Sequence, residues 1–326
     1  MELPLNILTR LYKIQSKSGQ EAKMIKYLES LLPLLGENII VKNINNNLYI
    51  TKGECISYPC IVAHSDQVQE PNNNIEILQL EDLYVGFDFK KKKQVGLGAD
   101  DKNGIFMIIL ALIHCPILKA CVFHGEEIGC VGSTACEMTF FDDCRFVLQC
   151  DRRNNEDFIN NGANVELCSE EFIKDCLIEE FGYKETNGSI TDVVTLKQRG
   201  LKISCCNISC GYYNPHTDHE STKISDLEKC WTLVQHILSL DKTYHHLYTP
   251  KIYKPVSSVV IPKKVPTLKF QELYAKRLCK KNPDLIPIQI TSLWLDNYPK
   301  IPLIPLTKFK ELYNATNNKS ISSTLY

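Results

Sequence analysis

Five short stretches of the sequence carry imidazole and carboxylate groups next to predicted strands or helices. The first is HSD (64–66), which follows the apolar run 58–63. A histidine that ends a buried strand is more often structural than catalytic, so this stretch alone predicts little. Three further groups also follow a strand-like run: the pair Glu126 and Glu127, then Asp151, and then His216. A fourth group, Asp100 with Asp101, precedes a long apolar helix.

The residue types in these stretches suit a hydrolytic metal site. Imidazole and carboxylate ligands without a thiolate favour zinc or a similar divalent ion. Two histidines and three carboxylates exceed the three protein ligands of one catalytic zinc, so they predict two ions that share one bridging carboxylate. A water held between two such ions has its pKa lowered from about 15.7 toward about 7. A further carboxylate must take its proton and pass it to the leaving group, and one of Glu126 and Glu127 is placed for that task.

The elements that must position these groups alternate along the chain. Apolar periodicity predicts two helices in 5–36, a hairpin in 38–53, and a helix from about residue 102. Strand and helix runs then follow one another at 58–66, 118–129, 130–138, 145–151, 170–183, 191–200, 201–211 and 224–240. This order predicts an α/β fold with a mostly parallel mixed sheet sandwiched by helices. Ligand sites in open α/β sheets lie at the carboxyl ends of the strands, where four of the five stretches stand.

Composition bounds the class of protein and divides the chain. The net charge of −1 over 326 residues argues against a broadly basic nucleic-acid binder, and no stretch is apolar enough to span a membrane. The fifteen cysteines, with no secretory signal before them, predict reduced thiols and a cytoplasmic location. From Lys251 onward there are 13 basic and 4 acidic residues, so the net charge is +9 there and −10 before it. We therefore predict a catalytic domain at 1–249 and a basic, proline-rich extension of unknown role at 250–326.

The five stretches resemble, in order, the signature blocks of the co-catalytic di-zinc exopeptidases. That clan contains zinc aminopeptidases, peptidase T and glutamate carboxypeptidase. The resembling blocks are HSD (64–66), GADDKNG (98–104), GEEIGCVGS (125–133), QCD (149–151) and YNPHT (213–217). The resemblance covers about residues 5–245, and 191–217 is similar to the stretch before the last ligand in the aminopeptidase branch. It implies a zinc exopeptidase-like fold.

Roles for individual residues follow from this resemblance. It implies two divalent ions, expected to be zinc, with five ligands: His64, Asp100, Glu127, Asp151 and His216. Asp100 would bridge the two ions, Asp66 would orient the His64 imidazole, and Glu126 would be the general base. The peptide bond between Asp100 and Asp101 is typically cis in this clan. Either Tyr212 or Tyr213 would donate a hydrogen bond to the oxyanion, and the sequence does not choose between them.

The chain departs from the clan in two respects. Asp151 and His216 are 65 positions apart and His64 and Asp100 are 36 apart, so neither of the clan's lid insertions fits. We therefore expect a single lid-free catalytic domain and make no prediction of the oligomeric state. Arg152 and Arg153 follow Asp151, the fourth ligand, where the clan often has glycine. They could hold a carboxylate or a phosphate, although such arginines are more often solvated or paired with acidic neighbours.

The resulting prediction is a metal-dependent exopeptidase, an aminopeptidase that hydrolyses short peptides. A carboxypeptidase or an N-acyl amino acid amidohydrolase stays open, because identical ligands serve all three. Such an enzyme needs an arginine for the substrate carboxylate, with Arg152, Arg153 and Arg199 as candidates. A third reading is a catalytically inactive binding or assembly protein that uses its basic tail. We expect a small peptide substrate and neither a nucleic acid nor a membrane as partner.

Overall fold

The computed structural model describes residues 3–249 and ten helical residues beyond them. Those ten are Glu272, 275–277, Cys279, Lys280, Glu311, Leu312, Asn314 and Ala315. The chain divides into two units, Met1–Pro250 and Lys251–Tyr326. Apart from the ten residues, the predicted extension at 250–326 lies outside the described residues, and the roles assigned to the two parts stay predictions.

The helices and strands of residues 3–249 alternate through most of the first unit. The helices are α1 (Leu5–Lys13), α2 (Ala22–Leu31), α3 (Ala99–His114), α4 (Val131–Thr134), α5 (Glu170–Asp175), α6 (Asp192–Gln198) and α7 (Ile224–Ser239). Two short 3-10 helices occupy Leu32–Leu34 and Met138–Phe141. The strands are β1 (Ile39–Ile44), β2 (Asn47–Lys52), β3 (Tyr58–His64), β4 (Ile75–Leu80), β5 (Leu83–Asp88), β6 (Lys93–Val95), β7 (Leu118–Phe123), β8 (Cys144–Arg152), β9 (Asp157–Gly162), β10 (Val165–Glu166), β11 (Lys184–Gly188), β12 (Cys205–Ser209), β13 (Tyr212–Tyr213) and β14 (Ser221–Lys223).

A mixed sheet with four central parallel strands forms the middle of this unit. Its order is β1-β2-β7-β3-β8-β12-β9-β10, with β11 beside β9. Strands β7, β3, β8 and β12 run parallel to one another, whereas the flanking pairs β1–β2, β2–β7, β12–β9 and β9–β10 are antiparallel. All seven residues of β3 are buried, which is typical of a parallel strand covered on both faces. The predicted mixed, mostly parallel sheet is confirmed.

Side chains of the central strands alternate between two hydrophobic clusters. Ile61 and Ala63 pack in one cluster with residues of α1, α2, α3 and α7. Cys60 and Val62 pack in the other with residues of α6 and of the segment after α4. Because neighbouring side chains of a strand point to opposite faces, the two clusters place helices on both faces of the sheet. The predicted sandwich of helices around the sheet is therefore confirmed.

A second, antiparallel sheet holds the loop that carries the last candidate ligand. Its order is β13-β14-β5-β4, with β6 beside β5. Strands β5 and β6 form a hairpin, and the lysine run 90–93 lies at its tip. His216 lies in the loop between β13 and β14, so this sheet fixes where that imidazole meets the main sheet.

Two predicted helices are shorter than their apolar patterns suggest. The helix predicted at 170–183 ends at Asp175, because Leu177 adopts a left-handed backbone conformation (φ 51°) that a helix cannot continue. The helix predicted at 130–138 covers only Val131–Thr134. Its end is stabilised by Arg199, whose guanidinium donates to the Ser133 and Cys136 carbonyl oxygens at 2.9 Å each. The sequence prediction also missed β9, β10 and β11, since their short stretches lack apolar alternation.

None of the described helices combines the length and the apolar character needed to cross a bilayer.

Candidate active site

The five sequence stretches meet at the carboxyl edge of the parallel strands. His64 is the last residue of β3, Asp151 lies one residue before the end of β8, and Glu126 follows β7 in the next loop. Strands β7, β3 and β8 are parallel neighbours, so their carboxyl ends lie side by side. The first turn of α3 adds Asp100 from the loop that follows the second sheet. The peptide bond between Asp100 and Asp101 is cis, as the resemblance implies.

Asp100 lies between the two histidines and faces each with a different oxygen. Its Oδ1 is 3.2 Å from His64 Nε2, and its Oδ2 is 3.3 Å from His216 Nε2. Each imidazole also has a second carboxylate. His64 Nε2 is 3.7 Å from Asp151 Oδ1, and His216 Nε2 is 2.9 Å from Glu127 Oε1. This arrangement has one shared carboxylate and one private carboxylate for each histidine.

Asp66 ties three parts of the site together from behind. Its Oδ1 is 3.3 Å from His64 Nδ1, and its two oxygens accept hydrogen bonds from the backbone N–H groups of Glu126 and Glu127. The Ser18 hydroxyl donates to the same carboxylate at 2.7 Å. Burial raises the pKa of Asp66, but the hydrogen bonds and the His64 imidazole outweigh it and hold the pKa at about 2. Asp66 is therefore an ionised carboxylate that fixes both the His64 ring and the Glu126 loop.

Asp101 is engaged with the backbone. Its Oδ2 accepts a hydrogen bond from the His64 N–H at 3.1 Å, and its Oδ1 accepts one from the Gly104 N–H at 2.9 Å. Both oxygens thus hold the start of α3 against the end of β3. Of the two neighbouring aspartates, Asp100 is the one whose oxygens both face imidazoles.

The charges of the site perturb one another strongly. Burial lowers the pKa of His64, but the surrounding carboxylates raise it by more, so the net shift is upward. The neighbouring carboxylates of Asp100 and Glu127 raise the pKa of His216 to about 10. Burial and the neighbouring carboxylates raise the pKa of Asp151, and burial raises that of Glu126. For Asp100, the two imidazoles outweigh burial and lower the pKa. Such a concentration of mutually dependent ionisable groups is typical of functional sites.

The donor set fits divalent metal ions. Ligand atoms of His64, Asp100 and Glu127 lie within 4.8 Å of one another, as do those of a second group, His64, Asp101 and Asp151. Glu127 Oε1 is buried and accepts no hydrogen bond from the described residues, although it lies close to the His216 ring. A buried oxygen without a donor costs free energy that a cation would recover. Imidazole nitrogens and carboxylate oxygens are ligands that zinc and similar ions accept.

A cavity of about 430 Å³ opens beside this cluster. Four carboxylate residues and His216 line it, together with the loop 188–191 and Ile159. Asn207 lies in the wall and is bonded twice to the backbone of Asp151, at 2.8 Å each. The cavity is large enough for a few amino-acid residues and places any occupant against the cluster.

The two candidate tyrosines point in different directions. Tyr212 lines the cavity, and its hydroxyl donates to Asp151 Oδ1 at 3.3 Å. Burial raises the pKa of Tyr212 well above its usual value, so it stays a neutral donor. Tyr213 instead donates to Asp226 Oδ2 at 2.5 Å, and it is not among the residues that line this cavity. The sequence left open which tyrosine would donate to the oxyanion, and these positions favour Tyr212.

The three candidate arginines also differ in their positions and partners. Arg152 and Arg153 both line the cavity, whereas Arg199 caps the end of α4. Arg152 Nε donates to Asp157 Oδ2 at 2.9 Å, which is the pairing with an acidic neighbour that the sequence analysis set against a ligand-binding role. Arg153 is exposed.

The sequence analysis missed Glu220 and Asn207. Glu220 is fully buried and accepts hydrogen bonds from the backbone N–H groups of Gly98 at 2.6 Å and Asp100 at 3.2 Å. Its stretch, HTDHE, looks like an ordinary exposed turn, and no local pattern marks it. Asn207 did leave a signal, because an amide within the apolar stretch of β12 must find hydrogen-bond partners when it is buried.

Solved structures show the same fold. The chain is similar to aminopeptidase PepT from Bacillus cereus, with a TM-score of 0.59 and 15% identity over 72% of this chain and 96% of that one. It is also similar to a tripeptidase from Staphylococcus aureus, with a TM-score of 0.57 and 16% identity over 72% and 96%. An aminopeptidase from Desulfurococcus kamchatkensis gives a TM-score of 0.58 and 13% identity over 78% and 98%. No family model and no curated protein sequence matches the chain. These likenesses establish the fold, and it is the zinc exopeptidase fold that the sequence blocks imply.

Proposed function

We propose that this protein is a metal-dependent exopeptidase that removes amino-terminal residues from short peptides. One observation carries the proposal: two imidazoles and three carboxylates meet around Asp100 at the carboxyl edge of the sheet, with Glu126 beside them in the same cavity. The fold shared with aminopeptidases and a tripeptidase supports it.

Two divalent ions, zinc by preference, would be held by five residues: His64, Asp100, Glu127, Asp151 and His216. When bound, such ions supply a water of lowered pKa and polarise the peptide carbonyl. Asp66 keeps the His64 ring in place through Nδ1, and Asn207 keeps the Asp151 backbone in place. The chain's own residues thus fix the ligand positions before any ion binds.

Glu126 is the proposed general base. It takes a proton on its carboxylate and returns it to the leaving amine. Burial raises its pKa, which favours holding a proton between these two steps. The Tyr212 hydroxyl, which faces the cavity, is the proposed donor to the oxyanion that forms at the peptide carbonyl.

A carboxypeptidase or amidohydrolase is the second candidate, and one observation favours it. Arg152 and Arg153 line the cavity that adjoins the proposed ligands, and a guanidinium can bind a free carboxylate. Peptides blocked at one end separate the two readings. An aminopeptidase cleaves C-terminal amides and spares N-acyl peptides, whereas the second candidate does the opposite.

The proposal is tested by metal content and turnover measured on the full chain. After equilibration with zinc and removal of excess ions, elemental analysis should find about two ions per chain. The Glu126→Gln variant should keep that metal and lose about 10²–10⁴-fold in kcat on dipeptides, because the carboxylate that moves the proton is gone. Glu179→Gln, at an exposed position, is the matched control. Full metal with no turnover of any peptide by the unmodified chain would instead support the binding-protein reading.

A further inference from the structure

Some of the charged side chains that face the cavity are paired with a group of opposite charge, and others are not. Asp100, Glu126, Glu127 and Asp151 supply four carboxylates, and His216 and two arginines face them. Two divalent ions would neutralise the four carboxylates. The pairing of the arginines therefore decides whether the cavity keeps a net positive charge.

Arg152 is already neutralised and held in the wall. Its Nε lies 2.9 Å from Asp157 Oδ2, and both side chains are largely buried, at 24% and 11% exposure. Asp157 is fixed in turn, since its N–H donates to the Ser209 hydroxyl at 3.1 Å. Arg152 thus contributes shape and hydrogen-bonding capacity to the cavity, and little net charge.

Arg153 has a fixed backbone and an uncommitted guanidinium. The Ser209 hydroxyl donates to its carbonyl oxygen at 2.7 Å, and the N–H of Asn154 donates to the Tyr212 carbonyl oxygen at 2.8 Å. These bonds tie the backbone around Arg153 to the strand segment that carries Tyr212. Within residues 3–249, the Arg153 guanidinium forms no hydrogen bond or ion pair, yet it lines the cavity. It supplies a positive charge that the described residues leave uncompensated.

The position of Arg153 limits where a complementary group can lie. It follows the proposed ligand Asp151 by two residues, so the two Cα atoms are at most about 7 Å apart. Each residue of an extended peptide spans about 3.5 Å. Because Arg153 and Asp151 line the same cavity, a group that contacts Arg153 lies within a few residues of a scissile bond held at the metal cluster.

We propose that Arg153 is a specificity-determining residue that binds a carboxylate of the substrate near the scissile bond. The substrate class is peptides with an anionic group within a few residues of that bond, either the C-terminal carboxylate of a di- or tripeptide or an acidic side chain. A planar guanidinium binds a carboxylate through two parallel hydrogen bonds, a geometry that an amide cannot reproduce. This inference rests on the proposed exopeptidase function.

Binding to a zinc-loaded full-length Glu126→Gln chain tests the proposal without turnover. Calorimetry would compare Leu-Gly-Gly with its C-terminal amide, and Leu-Glu-Gly-amide with Leu-Gln-Gly-amide. In at least one pair the anionic peptide should bind about 10–100-fold more tightly, as expected for a charge-assisted hydrogen-bond pair. Adding Arg153→Gln should bring that ratio close to one. Adding Arg10→Gln, an exposed arginine in α1, is the matched control and should leave the ratio unchanged.

The pair that responds identifies the source of the carboxylate. A response in the first pair assigns the C-terminal carboxylate, and a response in the second assigns an acidic side chain; both support the proposal. Equal binding within both pairs, or ratios that Arg153→Gln leaves unchanged, would overturn it, as would absence of binding by all four peptides.

Turnover by the unmodified chain separates this inference from the proposed function. Cleavage of peptides without carboxylate selectivity would support the proposed exopeptidase function and refute the role of Arg153. Carboxylate-selective binding with no cleavage would support Arg153 and remove the exopeptidase. A general loss of structure in Arg153→Gln would weaken both members of a pair equally, so the ratio distinguishes it from a loss of recognition.

Discussion

Replacing Glu220 by glutamine is expected to weaken the hydrogen bonding that positions Asp100, the proposed bridging ligand, without changing any residue that lines the cavity. The Glu220 carboxylate is fully buried, and its Oε2 accepts hydrogen bonds from the Gly98 N–H at 2.6 Å and the Gln69 side chain at 2.9 Å. Its Oε1 accepts one from the Asp100 N–H at 3.2 Å. Burial and the Asp100 carboxylate raise the pKa of Glu220 to about 7, while the two backbone N–H groups act in the opposite direction.

The magnitude follows from which bonds an amide can keep. Glutamine has one acceptor oxygen, and placing it at the Oε2 position retains two of the three bonds. Its NH₂ group then faces the Asp100 N–H, which is left without a partner in a buried position. An unpaired buried donor costs about 1–3 kcal/mol. We expect the free energy of unfolding of the metal-free chain to fall by that amount.

Metal affinity tests whether Glu220 positions Asp100, because a purely structural role for Glu220 would leave the metal affinity unchanged. Because Glu220 fixes the backbone of Asp100, its loss should lower zinc affinity about 10–100-fold, the range seen for residues that orient metal ligands. Competition with a chelator of known affinity measures this, and urea unfolding of the metal-free chain measures stability. Glu180→Gln, an exposed change of the same chemistry, is the control. A Glu220→Gln chain that binds zinc as tightly as the parent would refute the assigned role.

Two further predictions concern groups near the cluster. Asp192 is fully buried at the start of α6, and neither of its oxygens has a partner among the described residues, since the nearby Ser133 hydroxyl donates to the Cys130 carbonyl. Burial raises its pKa from 3.8 to about 8, so the folded metal-free chain binds this proton more tightly than the unfolded chain, and stability is lost as pH rises through that window. The Asp192→Asn chain should therefore unfold at the same urea concentration as the parent chain near pH 4. Above pH 8 it should unfold at a higher urea concentration than the parent chain. Parallel pH profiles of the two chains would contradict this. Tyr212→Phe should lower kcat about 10²–10³-fold with zinc content unchanged, as for removal of one oxyanion donor, whereas Tyr213→Phe should not; equal kcat losses would assign neither tyrosine to the oxyanion.

The class of fold and the meeting of the candidate groups at one edge of the sheet could be predicted from the sequence alone. His64 and Asp151 each stand at the end of an apolar run, and the alternation of strands with helices predicts that such ends share one edge. This inference needs no distances, because parallel strands in one sheet all present their carboxyl ends on the same side. The short strands β9 to β11 could not be found in this way, since they are held by pairing within the sheet and not by an apolar pattern of their own.

The roles proposed for individual side chains depend on contacts between distant parts of the chain. Glu220 meets the Gly98 N–H across 122 positions, and no local pattern indicates that pairing. Tyr212 and Tyr213 are neighbours of the same type, and their hydrogen-bond partners, Asp151 for the first and Asp226 for the second, separate their proposed roles. Arg152 and Arg153 are likewise identical in sequence terms, but β9 places Asp157 beside the first alone. Periodicity and spacing report which groups reach an edge of the sheet, whereas burial and hydrogen-bond partners, which depend on the whole fold, decide what each group there is free to do.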